Sequence, residues 1–428
     1  MIYDKLAIIT PMNNYDEKFN TSIKSTYFTK LKKEQQDFIK TKAFEHKFSY
    51  QQLRLIIEMA NDFEMWGEKN IIEIWPEHMH SKVILQRITK IYNEVKDKPK
   101  SYKDFDPSIL RSEQKFSFTT KEKEGFGLGM CPVASEETRC CNLMTLDAVE
   151  SCGFDCSYCT IQSFYKQEKI TFDSGFKEKL KKLKLDPNRT YHIGTGQSSD
   201  SLMWGNREGV LEALFDFARA NQNVILEFKT KSDNISYFLE NEVPKNIICT
   251  WSLNTKTIIE NEEHLAASLD KRIRSARALA DKGVIVGFHF HPIVAYENYL
   301  QEYKEVYDEL LNTFQPEEVS LISMGTLTFI KPVINKLRQR NFNSKILQMP
   351  FDNAAGKASY PLEIKEEMFS HAYESFKAWH DKVYFYLCME DHSLWKKCFG
   401  FEYSTNADME RDMVSSYCKK VGIPYIYA

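Results

Sequence analysis

From about residue 140 onward, short β-branched or aromatic runs alternate with longer amphipathic stretches, and this alternation constrains the fold more than any other feature of the sequence. The runs cover residues 143–148, 190–193, 224–228, 247–252, 284–291 and 319–323. Between them lie residues 176–183, 210–221, 269–282 and 299–313, with apolar side chains at helical spacing, and two further helical stretches, 332–340 and 364–380, follow. Parallel strands need a long crossover between them, so strand, helix and strand in succession build a parallel sheet or barrel. The pattern predicts a barrel domain over 140–330 and a C-terminal α/β extension over 331–428.

Upstream the pattern differs. From Phe28 to about Val95 apolar residues recur at three and four, as in Leu53, Ile56, Ile57, Ala60 and Phe63, which predicts a helical module over 1–97. Residues 98–139, with Lys98-Pro99-Lys100-Ser101 and Gly125-Phe126-Gly127-Leu128-Gly129, break that rhythm and read as a linker. The opening run Leu6-Ala7-Ile8-Ile9, preceded by Asp4, lacks the basic start and long apolar centre of a secretory signal. No stretch approaches the roughly 20 apolar residues that span a bilayer. The expectation is a cytoplasmic protein with no membrane partner, in which ten cysteines serve metal or redox chemistry better than disulfides. A formal charge of −3 gives no global attraction to nucleic acid, so any phosphate contact must come from local basic groups.

The sequence Cys152-Gly-Phe-Asp-Cys156-Ser-Tyr-Cys159 stands just after the first predicted strand, where βα loops place chemistry. Three thiolates at this spacing can wrap one corner of a cubane. Iron–sulfur clusters of this kind take four cysteines, so a local triad leaves one iron open to a ligand. The competing reading is a structural zinc site, closed by Cys131, Cys140 or Cys141. Such sites usually come as paired Cys-x-x-Cys units, and this one does not.

The Cys-x₃-Cys-x-Tyr-Cys loop, with Tyr158 in its aromatic place, resembles the radical S-adenosylmethionine superfamily. Within it, the chain resembles the spore photoproduct lyase family, DNA-photolyase-like enzymes that do not use light. The matching stretches run from 194 to 202 (Gly-Thr-Gly-Gln-Ser-Ser-Asp-Ser-Leu), Lys229-Thr230-Lys231-Ser232, Trp251-Ser252-Leu253-Asn254, Glu262-Glu263-His264, 322–326 and Tyr386-Leu387-Cys388-Met389-Glu390. The resemblance implies a partial (βα)₆ barrel and a 4Fe–4S cluster on Cys152, Cys156 and Cys159. It also implies S-adenosylmethionine as cofactor, an electron donor such as a flavodoxin or ferredoxin, and lesion-containing DNA as substrate. Carried over by position, Ser199, Asp200, Lys231 and Ser252 would contact the cofactor, and Tyr158 would sit beside its adenine. The implied reaction is radical repair of a thymine photoproduct. Radical modification of another base or of RNA, and a zinc-stabilised nucleic-acid-binding protein, are the alternatives.

One position departs from the family. A cysteine two residues before the position matched by Ser199 returns hydrogen to the product radical there, and here Gln197 occupies it. An amide N–H bond is too strong for that task. Thr160 also replaces the family's tyrosine after the last cluster cysteine. The remaining thiol candidates are Cys388 and the Cys140–Cys141 pair; otherwise the product radical is quenched in another way. Elsewhere, His289 and His291 share one face of a strand, as substrate contacts or as structural histidines. Arg272 and Glu263 suit a supporting salt bridge. The five lysines between 177 and 184, and Lys336, Arg338 and Arg340, suit wet helix faces.

Overall fold

A computed structural model describes residues 14–107, 116–125, 128–131, 137–164, 169–354 and 356–426. The chain forms two compact units, one of residues 1–109 with 334–349, the other of residues 110–333 with 350–428.

The first unit contains the helices Asn14–Ile23, Lys33–His46, Tyr50–Trp66 and Ser81–Asp97. Helix Tyr50–Trp66 begins at a reciprocal cap between Ser49 and Gln52 and stops at Gly67, whose φ of 64° suits a residue without a side chain. Its buried stripe is the one legible in the sequence, Leu53, Ile56, Ile57, Ala60 and Phe63. The same helix buries Asp62 completely, and a carboxylate so placed needs a counter-charge. Arg338 supplies it, with Nε 2.8 Å from Oδ1, while the Tyr92 hydroxyl donates to Oδ2 at 2.7 Å. This corrects one expectation: Arg338 is a half-buried ion-pair partner and not a solvated face. Residues 334–349 cluster with the helical unit.

The second unit is organised by an eight-stranded sheet. Its strands are β1 (Leu128–Met130), β2 (Met144–Leu146), β3 (Tyr191–Thr195), β4 (Val224–Thr230), β5 (Ile247–Ser252), β6 (Ile285–Ile293), β7 (Val319–Thr326) and β8 (Tyr384–Leu387), in spatial order β8-β7-β6-β5-β4-β3-β2-β1. All neighbours are parallel except β1 with β2. Each strand from β2 to β7 lies on one of the six predicted runs. β8 adds a seventh parallel strand, taken from the expected extension, and β1 comes from the expected linker. Phe126, Gly127 and much else of that linker lie outside the described residues. Because the spatial order never returns on itself, the sheet is an open, curled half-barrel.

Matched residues of parallel neighbours share a face. Lys229 pairs with Thr250, Ser252 with His289, His289 with Ser323 and Ser323 with Tyr386, so these line the inner face. The intervening residues point to the outer helices: Phe228 packs edge-on to Phe238, and Phe290 edge-on to Tyr307. The C-terminal helix Asn406–Val421 packs against the inner face through Tyr417, whose ring meets His192 edge-on at 5.1 Å. Among the described residues no helix is long and apolar enough to cross a membrane.

Candidate active site

The loops at the carboxyl ends of the parallel strands carry the predicted site residues, as the fold requires. The cysteine loop follows β2 and is folded by backbone bonds to the segment after β5. Asp155–Cys156 pairs antiparallel with Glu263–His264, Ser157 N–H donates to Glu262 O at 2.8 Å, and Cys159 N–H donates to Cys156 O at 3.2 Å. Gly153 is closely packed there: a Cβ would lie 2.2 Å from Met203 Cε and 2.7 Å from Trp204 Cη2, so either the side chains or the loop would have to shift.

Glu263 anchors this arrangement. Its side chain is fully buried, as is that of Arg272, whose Nη2 lies 2.6 Å away. Lys231 Nζ lies 3.1 Å from Oε1, Asn254 donates to the same oxygen at 3.3 Å, and the Tyr158 hydroxyl donates to it as well. Burial alone would raise this carboxyl, but Arg272 and then Lys231 outweigh it and hold Glu263 at about 2. Arg272 also donates to the Ser252 carbonyl at 2.9 Å and the Ala267 carbonyl at 2.8 Å, so one guanidinium fixes the end of β5 and the next loop. The supporting salt bridge read from the sequence is therefore present. Lys231 stands 5.6 Å from the centre of the Tyr158 ring.

Asp200 is spent on the backbone. Its Oδ1 accepts from Leu202 N–H, Met203 N–H and the Thr230 hydroxyl at 3.0, 2.9 and 2.7 Å, and its Oδ2 accepts from Lys231 N–H at 2.8 Å. It thus ties the loop after β3 to the end of β4 and sets where Lys231 begins. Ser199 accepts from Trp204 Nε1 at 3.4 Å, and among the described residues the Ser252 hydroxyl has no partner.

The three cysteines behave as a donor set. Burial raises Cys152 and Cys156 first; Asp200 and the other two thiols then raise Cys152 further, and Glu263 and then Cys159 raise Cys156. Thiols that resist ionisation in one another's company become good ligands once a cation neutralises them. Among the described residues no group of three or more histidine, cysteine or carboxylate side chains, the triad included, is gathered as a metal site. Cys131, Cys140 and Cys141 group instead with Cys388. Cys141 donates to the Cys140 sulfur, which lowers Cys140 to about 6 and raises Cys141, and Cys141 is raised further by burial, Cys388 and Cys131.

Cys388 directly follows β8, with its N–H donated to Met324 O at 2.7 Å. A Cβ on Gly325 would lie 3.0 Å from the His291 ring and 3.1 Å from the Cys388 carbonyl, so these residues stand side by side. Burial pushes the Cys388 thiol up to about 12. Gln197 is exposed on the loop after β3. Of the two histidines, His289 is bonded deep in the sheet: Nε2 lies 2.8 Å from Glu227 Oε1 and Nδ1 2.5 Å from Ser323 Oγ. His192 Nε2 lies 2.8 Å from the other Glu227 oxygen, and Thr250 donates to Oε1 at 2.6 Å. The sequence did offer a signal for this network, a lone glutamate inside the apolar run Val224-Ile-Leu-Glu-Phe. Of the lysines of 177–184, Lys177 and Lys181 face solvent beside acidic partners, Lys177–Glu212 at 2.6 Å and Lys181–Glu178 at 2.7 Å, while Lys179 pairs with the buried Asp173 at 2.8 Å.

Residues 145–358 match the family model described as spore photoproduct lyase. The spore photoproduct lyase of Clostridium acetobutylicum is 28% identical over 223 residues, which cover 50% of this chain and 64% of that protein. That of a Geobacillus species is 23% identical over 202 residues, covering 46% and 59%. The chain thus spans somewhat less than two thirds of either relative's length. A solved spore photoproduct lyase complexed with dinucleoside spore photoproduct superposes with a TM-score of 0.54 at 16% identity, covering 71% of this chain and 94% of that one. A variant with bound AdoMet and the same dinucleoside gives the same values. At this identity the likeness is one of fold.

Proposed function

Because the chain belongs to the spore photoproduct lyase family, we propose that it is a radical S-adenosylmethionine enzyme that repairs a thymine photoproduct or a related lesion in DNA. The observation that carries this reading is the cysteine loop fastened through Glu263 to Lys231, Arg272 and Tyr158. Cys152, Cys156 and Cys159 would hold a 4Fe–4S cluster whose open iron takes S-adenosylmethionine. When bound, this pair supplies a 5′-deoxyadenosyl radical.

The chain's own residues bind and orient. Lys231, placed between Glu263 and the Tyr158 ring, would pair with the methionyl carboxylate. Asp200 positions Lys231 through its backbone. Ser252, at the end of β5, and Ser199, on the loop after β3, offer hydroxyls, and Tyr158 would present its ring to the adenine. Gln197 cannot return a hydrogen atom to the product, so that role passes to Cys388, whose thiol stays protonated at neutral pH as an S–H donor must. The product's C–H bond forms as the S–H bond breaks, and the thiyl radical left on Cys388 returns to the thiol by taking one electron from the protein's electron donor and one proton from solvent. The departures at Gln197 and Thr160 favour one second reading, the same radical chemistry on a different modified base.

The test is anaerobic incubation with reductant, S-adenosylmethionine and the authentic thymine photoproduct, following 5′-deoxyadenosine and repaired thymine. Repair that disappears in Cys388→Ala supports the first reading. 5′-Deoxyadenosine release without repair, with repair gained in Gln197→Cys, supports the second. A native protein that binds iron yet releases no 5′-deoxyadenosine overturns both.

A further inference from the structure

Beside the cysteine loop lies a cluster of rings that neither the sheet nor the cofactor residues account for. Phe118 sits on the strand Ser117–Lys121 with 40% of its surface exposed. The Arg207 guanidinium lies flat on it, 3.7 Å from the ring centre. On the same group, Trp204 stands edge-on to Phe118 at 5.3 Å and to Phe116 at 5.4 Å. Arg207 is exposed, and among the described residues it has no carboxylate partner. The turn that presents it is strained, since Glu208 holds a φ of 56° between Gly205 at 56° and Gly209 at 70°. A non-glycine residue in that region is strained, and such strain persists where the surroundings impose it.

The cluster is rooted in the site. Trp204 donates to Ser199 and sits against Gly153 of the cysteine loop. A second exposed ring, Phe164 at 69%, follows the helical turn Thr160–Ser163 that continues this loop. A planar cation stacked on an exposed ring keeps the N–H edges of its guanidinium free for phosphate, and its outer face is itself a plane on which a base can stack. With a formal charge of −3, the chain attracts nucleic acid only through such local groups.

We propose that Phe118, Arg207 and Trp204 form a stacking platform for the unpaired DNA strand that flanks the reacting base. This rests on the function proposed above for the identity of the strand, and it adds where the neighbouring nucleotides lie. Every base has a π-face, so the platform is indifferent to sequence and leaves lesion choice to the barrel.

The experiment measures anisotropy of a labelled mixed-sequence oligodeoxynucleotide with the anaerobic, cluster-loaded full chain. Phe118→Leu keeps apolar cover but removes the ring, and should weaken single-strand binding about tenfold. Arg207→Gln should weaken it and lower the salt slope by about one, whereas Arg207→Lys should keep the slope but not the full affinity. Trp204 emission should be quenched on binding. Both positions lie outside the cofactor residues, so iron content and 5′-deoxyadenosine release without DNA should be unchanged. Phe118→Leu and Arg207→Gln binding within twofold of native would overturn the platform, as would tighter binding of intact duplex or of the matching oligoribonucleotide. If iron and 5′-deoxyadenosine release are lacking in the native chain, the failure lies with the proposed function and not with the platform.

Discussion

Two buried carboxylates divide the labour of this unit. Glu263 has a side chain with no exposure, and Glu227 has one with 3%. Both are held ionised against their burial, but by different means. Glu263 faces the cations Arg272 and Lys231, and its remaining contacts, Asn254 and Tyr158, lie on loops. Glu227 faces His192 on β3, Thr250 on β5 and His289 on β6, so all its bonds stay inside the sheet. The first fastens the cysteine loop to the barrel; the second stitches four strands together. The same side chain therefore serves the site or the scaffold according to where its partners sit.

The largest effect belongs to what Glu263 holds in place. Cys156→Ala should abolish iron binding and S-adenosylmethionine cleavage together, because two thiolates cannot retain a cubane with an open corner. Iron analysis after anaerobic reconstitution reads this directly, and full occupancy would remove the cluster assignment. Glu263→Gln comes next. It leaves Arg272 buried without its counter-charge, a loss of about 3–5 kcal/mol, and iron retention should fall although all three cysteines remain. Glu227→Gln leaves no unpaired cation and should cost about 1–3 kcal/mol of stability with iron unchanged. If both variants lost iron equally, the division between loop anchor and sheet stitch would collapse.

Lys231→Ala sharpens the comparison from the cofactor side. It removes a charge partner and not a ligand, so the cluster should stay while S-adenosylmethionine binding weakens by roughly 1.5–3 kcal/mol, tenfold or more. Isothermal titration checks it, and unchanged affinity would show that the lysine serves only Glu263.

Much of this unit was legible before its structure. The strands that feed the site are runs of β-branched residues with clear helices between them, and the cysteine spacing pointed to the family whose model the chain matches. The edges were not legible. β8 is four residues, Tyr-Phe-Tyr-Leu, with rings on both faces, and β1 is three residues around a glycine, so neither shows a period. The roles of Asp200 and Glu227 were hidden for another reason. Their partners are backbone N–H groups and histidines that only the closed fold brings within reach. Arg338 was misread because its counter-ion, Asp62, lies 276 residues away.

The smallest effect tests the sheet stitch through protons. Burial first, and then Lys229, lowers His289 to about 4 and His291 to about 3, while Glu227 opposes the shift at His289. In the unfolded chain a histidine ionises near 6.5. Between pH 6.5 and 4 the unfolded state therefore binds protons that the folded state refuses, so stability falls as pH falls through this window. The slope is at most about 1.4 kcal/mol per pH unit for each histidine. Glu263 acts lower, since a carboxyl held at about 2 loses its contribution only below its unfolded value near 4.5. Denaturant midpoints of the native protein and His289→Asn at pH 7, 6 and 5 should converge as pH falls, because the variant has one fewer proton to take up on unfolding. In Glu227→Gln the opposing carboxylate is gone, His289 is pushed lower still, and its share of the slope should extend below pH 4. A slope unchanged in His289→Asn would mean that this histidine titrates in the folded protein, and that Glu227 binds it as an ion pair and not as a neutral stitch.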